Sequence, residues 1–309
     1  MDSELDLAKI VALQREINIR KARENLWAYC CIVSPDFYKG DRWHSWLICE
    51  TLQALYERRL TKGLFWDICH SKNVPSWYAD TVKWDRLADG VVYTKLMINM
   101  PPRHGKSRTL VNFCDWILGE DRHNKIITVS YNTDAATDQS RYVRDGIMMK
   151  KNLPTDIVYS DIFPASKIAK GNSSFMKWSL EGCFFNYLGA GLEGTLTGRG
   201  GNCTIIDDPL KSAEDSYNDR VLEGLWNWYT GTFMSRAEKE GDGSIDIINH
   251  TRWNTKDLCG RVMDSKMGES WLQLSIPVEH KGNLLCPSIL PQKDFEELRD
   301  NMDPTLPKP

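Results

Sequence analysis

The chain lacks any stretch of about eighteen consecutive apolar residues, so no membrane-spanning helix is expected. Its opening, MDSELDLAKIV, is too charged for a secretory signal, and a cytoplasmic location is expected. No Cys-x-x-Cys pair occurs among its nine cysteines. That odd number without paired spacing fits neither a zinc site nor a disulfide framework, and assigns the thiols to packing in a reduced compartment. There is no basic excess either: the formal net charge is −3, which argues against a protein whose task is to coat nucleic acid. Any phosphate-backbone contact has to come from local clusters such as Arg20, Lys21 and Arg23, the pair Arg141 and Arg144, or Lys167 and Lys170. A solvated helix face is the more ordinary reading of each. Hydrophobic residues make up 41% of 309, enough for one large α/β domain with a helical appendage.

The chemistry enters at residues 98–107, INMPPRHGKS, where a buried-looking strand runs into Gly105-Lys106-Ser107 and the helical pattern RTLVNFCDWIL follows. A Gly-Lys-Ser turn between strand and helix surrounds a phosphate chain with backbone N–H groups and the helix N-terminus. In that arrangement Lys106 reaches the β and γ oxygens and Ser107 the Mg²⁺, with Pro102, Arg103, His104, Gly105 and Arg108 completing the loop. The usual spacing would put glycine at position 100, where this chain has Met100; a bare Gly-Lys-Ser is also a common exposed turn, and context separates the two. A second strand, CTIIDDP at 203–209, ends in a carboxylate pair. Mg²⁺ keeps several waters and uses one or two protein carboxylates, so Asp207 suffices for the metal and Asp208 is left to polarise an attacking water. Glu214 is the alternative acid, and an Asp-Asp-Pro loop turn is the competing structural reading.

From residue 95 strands alternate with helices: LMINM, a helix over 106–118, IITVSYN, a helix over 133–151, FFNYLGAG, TIID, a helix over 214–236, SIDIINHT, a helix over 255–267 and LQLSIPV. Such alternation predicts an α/β fold whose mainly parallel sheet is covered on both faces, with ligand at the carboxyl ends of the strands. Lys106, Asp207 and Thr251 all fall at such ends. Upstream, residues 3–29 follow an uninterrupted helical pattern with an apolar stripe through Leu5, Ala8, Ile10, Val11, Leu13 and Ile17. The segment from Asp36 to Gly63 adds a helix containing Trp43, His44, Trp46 and Leu47, and residues 64–90 look like an irregular surface insertion. The three parts are 1–90 (helical), 91–283 (nucleotide core) and 284–309 (a Pro-rich lid or linker).

PPRHGKS, the strand IITVSYN, GTLTGRGGNCTIIDDP at 194–209 and INHTRWNTKDL at 248–258 followed by WLQLSIPV together resemble the ATPase part of a tailed-bacteriophage terminase large subunit, over roughly residues 40–280. The resemblance implies a P-loop NTPase fold of the RecA-like (ASCE) type that hydrolyses ATP with Mg²⁺ and drives double-stranded viral DNA into a procapsid. It implies the portal protein and the terminase small subunit as partners, a homo-oligomeric ring on the procapsid from subunits monomeric in isolation, and the bacterial host cytoplasm as location. It assigns Thr251, Arg252 and Trp253 to the segment that senses the γ-phosphate, Trp43 and His44 to the adenine side, and Arg199 to an arginine finger.

Physical readings accompany these roles. Thr251 ends an apolar strand, and Arg252 could transmit the difference between triphosphate and diphosphate by re-pairing with a carboxylate; alternatively Arg252 and Trp253 cap the strand and cover the core. Glycines at 194, 198, 200 and 201 give Arg199 a flexible loop from which to reach a neighbouring subunit, while Arg103 is the candidate within the same subunit. Terminase large subunits continue into a nuclease domain, for which the residues after 284 leave no room, so ATP hydrolysis without DNA cleavage is expected and a truncated motor domain is the favoured account. A helicase-like translocase and a non-catalytic docking subunit are the alternatives.

Overall fold

The computed structural model describes residues 2–171, 174–194, 196, 200–238, 241 and 243–301, with the backbone alone for 2–5 and 7. Five helices precede the sheet: α1 (Asp2–Glu24), α2 (Leu26–Val33), α3 (Trp43–Tyr56), α4 (Lys62–Cys69) and α5 (Ser76–Ala79). The single long N-terminal helix expected from the pattern is broken at Asn25, whose side chain accepts from the Ala28 amide and caps α2; a capping Asn starts a new helix more readily than it continues an old one. The segment expected to be an irregular surface insertion instead contributes α5 and most of α4, with Phe65, Tyr78 and Leu87 in the core.

The sheet is built from β1 (Lys95–Asn99), β2 (Ile126–Ser130), β3 (Lys177–Trp178), β4 (Tyr187–Gly191), β5 (Cys203–Asp207), β6 (Ile245–His250) and β7 (Leu272–Ser275). Its order is β3-β4-β2-β5-β6-β1-β7. All pairs are parallel except β3 against β4. The connecting helices are α6 (Lys106–Glu120), α7 (Thr133–Ile147), the short α8 (Tyr159–Ile162), α9 (Asp219–Gly231) and α10 (Leu258–Asp264). A small β8 (Glu279–His280) and β9 (Asn283–Leu284) hairpin and α11 (Gln292–Asp300) follow. The chain is therefore α/β with a mostly parallel sheet flanked by helices. The expected helix over 214–236 is two short 3-10 turns around α9, and β3 lay outside the expected strands.

Strand burial explains the layering. Leu96, Ile98, Ile126, Ile205 and Ile247 face the cluster that holds α2, α3 and α6, while Met97, Ile127, Val129, Ile206 and Ile248 face the cluster of α9 and α10. Neighbours in sequence thus point to opposite faces, both dry, as a covered parallel sheet requires. Each such aliphatic side chain contributes about 1.5–3 kcal/mol by leaving water. The one acidic side chain inside β6, Asp246, accepts from Thr204 Oγ1 (2.6 Å) and Ser244 Oγ (3.0 Å) and pairs with Lys95 (3.0 Å). Among the described residues no helix is long and apolar enough to cross a membrane.

Ile10, Val11 and Leu13 of the α1 stripe are solvent-exposed. One further expectation is revised. The C-terminal segment is not a bare linker: Leu285 and Cys286 lie in the core and α11 forms beyond them.

Candidate active site

The strand β1 ends at Asn99, and the chain reverses into α6 through two left-handed residues, Arg103 (φ 63°) and Gly105 (φ 86°). Glycine adopts that conformation without strain, and at 105 a side chain would also meet Phe37, whose ring carbon lies 2.2 Å from an ideal Cβ. The turn leaves Lys106 as the first residue of α6, buried, and Ser107 as the second. His104 is buried within the turn; its Nδ1 donates to the Pro102 carbonyl (2.9 Å), and its own carbonyl accepts from His44 Nε2 (3.2 Å). Burial pushes both imidazoles toward the neutral form, His44 down to about 3 with the neighbouring His104 adding to the effect. His44 is thus packed behind the turn before α6, bracing its backbone at His104. Trp43 donates its indole N–H to the Leu285 carbonyl (2.7 Å) and packs edge-on to Trp77. Arg108 turns outward to a two-pronged pair with Asp36 (2.7 and 2.8 Å), while Pro102 and Arg103 are exposed.

From the other side, β5 delivers Asp207 and Asp208. Asp207 accepts from Ser107 Oγ (3.1 Å), Gln139 Nε2 (3.1 Å) and Asn249 Nδ2. Burial, and then the charge of Asp208, raise its carboxyl to about 6 despite Lys106, Asn249 and Ser107. Asp208 sits in the left-handed region (φ 44°), an uncommon backbone state that Asp tolerates better than most residues and that clusters at functional sites. Its Oδ2 lies 2.7 Å from Lys106 Nζ, and its Oδ1 accepts from the Thr251 amide at 2.8 Å. Burial pushes this carboxyl upward, but His250, Lys106 and the Thr251 amide outweigh it and hold it well below the usual carboxylate range.

The strand between them, β6, supplies the remaining wall. Asn249 reaches Asp207, while His250 lies between Asp208 and Asp257. The Thr251 hydroxyl is buried with no hydrogen-bond partner among the described residues. Arg252 Nε donates to Asp257 (2.6 Å), the residue that caps α10 through the Gly260 amide (2.9 Å).

Lys106, Ser107, Asp207, Asp208 and Thr251 are therefore brought together, and Arg252 joins them through Asp257. Glu214 is exposed on a 3-10 turn, outside the group around Lys106. Arg199 lies outside the described residues. Of the basic clusters, Arg20 pairs with Glu24 (2.9 Å), Arg141 with Asp138 (3.1 Å), Arg23 donates to the Ile162 carbonyl and Arg144 stacks on Phe175. Gln139, Asn249, His250 and Asp257 were not singled out from sequence. Asn249 and His250 carried a signal, two polar residues closing a strand that is apolar apart from Asp246; Gln139 on α7 carried none.

The residues suit a magnesium ion. Ser107 Oγ and Asp207 Oδ1 are hard oxygen donors 3.1 Å apart, close to the roughly 2.9 Å between adjacent corners of a Mg²⁺ octahedron with 2.0–2.1 Å bonds. Among the described residues no group of three or more His, Cys, Asp or Glu side chains is placed to hold a metal ion. A scan against protein-family models finds no match to this chain, and a search of curated proteins finds none either.

Proposed function

We propose that the chain is a P-loop ATPase, the Mg²⁺-dependent motor domain of a viral DNA-packaging terminase. In this reading it acts on double-stranded DNA in the host bacterial cytoplasm, working with a portal protein, a terminase small subunit and further copies of itself in a ring. The observation that carries the ATPase reading is the pairing of Lys106 with Asp208 (2.7 Å) and Ser107 with Asp207 (3.1 Å) at the carboxyl ends of β1 and β5. The strand order, with β6 inserted between those two strands, supports the same reading, because it brings the turn after β1 and the carboxylates after β5 to the same edge of the sheet, at the carboxyl ends of the strands. The motor assignment rests in addition on the sequence resemblance.

In this reading the turn's amides and the N-terminus of α6 hold the phosphates, and Lys106 neutralises the β and γ oxygens. Magnesium, when bound between Ser107 and Asp207, supplies further neutralisation of charge on the phosphates. Asp208 orients the water and accepts its proton. While Lys106 holds it, Asp208 is a weak base; once Lys106 turns to the nucleotide, Asp208 loses that cation and its basicity rises toward what proton abstraction needs. Thr251 offers its unpartnered hydroxyl beside the same carboxylate. Arg103 within the subunit, or Arg199 from a neighbour, supplies the last positive charge.

The deciding experiment is steady-state ATP hydrolysis against protein concentration, with Mg²⁺, with and without double-stranded DNA, for the wild type and Asp208→Ala. Activity per subunit that rises with concentration and disappears in the variant is the expected result. A concentration-independent rate assigns the arginine to Arg103, and no hydrolysis under any condition removes the ATPase reading.

A further inference from the structure

The most unusual side chain near the site is His250. It is wholly buried at the end of β6, and neither ring nitrogen has a hydrogen-bond partner among the described residues. Nδ1 lies 3.6 Å from Asp208 Oδ1 and Nε2 lies 3.6 Å from Asp257 Oδ2. Asp257 is itself fully buried, takes the Arg252 guanidinium at 2.6 Å and caps α10. Lys106, Asp208, His250, Asp257 and Arg252 thus form an unbroken line from the phosphate loop to the segment 252–264.

At 3.6 Å from each carboxylate the ring is short of a good hydrogen bond to either, and a shift that brings it to one carries it away from the other. We infer that His250 is a positioning residue with two settings, poised midway between Asp208 and Asp257 while Lys106 holds Asp208, and drawn to Asp208 once nucleotide has drawn Lys106 away. The inference rests on the ATPase reading and deepens it, by naming how an occupied site is felt at Arg252 and α10. With its Lys106 partner withdrawn, Asp208 is the stronger acceptor and takes the N–H. Asp257 is then left to Arg252 and the Gly260 amide alone, and the start of α10 settles into a different balance. Both ends bias one bistable element, which is the physical content of coupling between two places in a fold.

The test separates the two nitrogens. His250→Asn keeps a donor near the δ position, toward Asp208; His250→Gln keeps one near the ε position, toward Asp257. Hydrogen exchange of residues 252–264 is followed with Mg²⁺ and a non-hydrolysable ATP analogue, alongside analogue affinity and kcat. The wild type is expected to change its exchange rate in 252–264 by at least about twofold on binding, a shift of a local opening equilibrium. Both variants should bind the analogue within about threefold of wild type yet lose that change, and His250→Asn should retain about tenfold more kcat than His250→Gln, since it alone still supports Asp208.

A role in packing alone would lower kcat equally in the two variants and leave the exchange response intact, and that result overturns the inference. So does wild-type binding without any change in 252–264. Failure of the wild type to bind the analogue overturns the ATPase reading, and this inference with it. Should both histidine variants fail to fold, Asp257→Asn, which weakens the acceptor at the far end, must lose the exchange response while still binding the analogue; an intact response there counts against the relay.

Discussion

Lys106 Nζ and Asp208 Oδ2 stand 2.7 Å apart, so the group proposed to hold phosphate and the group proposed to activate water occupy one another in this conformation. Their removal should therefore have opposite effects on nucleotide. Asp208→Ala is expected to lower kcat by about 10²–10⁴, the usual contribution of a positioned base, while ATP binds as well as before or more tightly because Lys106 is freed. Lys106→Ala removes a charged hydrogen bond worth about 1.5–3 kcal/mol and should weaken binding roughly 10- to 150-fold. Equilibrium titration with a fluorescent ATP analogue distinguishes them; equal losses of affinity in both variants would sink the assignment of roles.

The second prediction concerns protons on Asp207, whose carboxyl burial and Asp208 raise to about 6. Because the folded value lies above the ordinary value of about 3.9, the folded chain holds a proton that the unfolded chain has released between about pH 4 and pH 6. The stability this group contributes is whole below the unfolded value and is lost as pH rises through the folded one. Metal binding runs the other way, since Mg²⁺ takes the carboxylate. Mg²⁺ affinity should rise by up to about tenfold per pH unit below 6 and level off above it, with proton release at the acid end. Calorimetric Mg²⁺ titrations at several pH values, in buffers of different ionisation enthalpy, measure both; an affinity flat across this range would contradict the assignment.

Gly105 and Phe37 provide the third. A methyl at position 105 meets the Phe37 ring and asks an L-residue to adopt φ 86°, and the left-handed backbone alone costs about 1–2 kcal/mol. Gly105→Ala should destabilise the fold by at least that much. In Gly105→Ala/Phe37→Ala the clash is gone, so the double variant should be less destabilised than the sum of the two single changes, with the backbone cost remaining. Urea unfolding of the four proteins gives the coupling term; strict additivity would mean that the two side chains do not collide.

The parallel sheet and the ends of its strands were legible because β1, β2, β5 and β6 are short, mostly apolar runs, each closed by polar residues, and because Gly105 and the pair Asp207-Asp208 sit where such strands stop. What was not legible has a common cause. Gln139 reaches Asp207 from α7, 68 residues away in sequence, and nothing local to α7 distinguishes it from any polar helix residue. His250 and Asp257 become a pair only once α10 folds back beside β6. β3 is two residues long and is held by its ladder to β4, so its strand character comes from tertiary pairing more than from local pattern. Residues 64–90 were misjudged because Trp66, Trp77, Tyr78 and Trp84 are interleaved with polar residues, while the burial of Phe65 and Tyr78 depends on packing against α3.

The helix α1 illustrates the limit of periodicity and yields the last prediction. Its spacing of apolar residues names a face but not a partner, and that face stays open, with Ile10 63%, Val11 55% and Leu13 59% exposed. What fastens α1 lies further along: Ala22 is fully buried, the Trp116 indole N–H is shared by the Ala22 and Arg23 carbonyls (3.1 and 3.2 Å), and Arg15 pairs with Asp161 (3.0 Å). Leu13→Ser should therefore change stability by no more than about 0.5 kcal/mol, as exposed substitutions do. Trp116→Phe keeps most of the ring volume but strands two acceptors, and should cost about 1–3 kcal/mol. Denaturant unfolding at two protein concentrations compares them. Should Leu13→Ser cost as much as Trp116→Phe, and more at the higher concentration, the stripe is covered by a second copy in solution, and the anchoring of α1 would have to be reassigned from Trp116 to that contact.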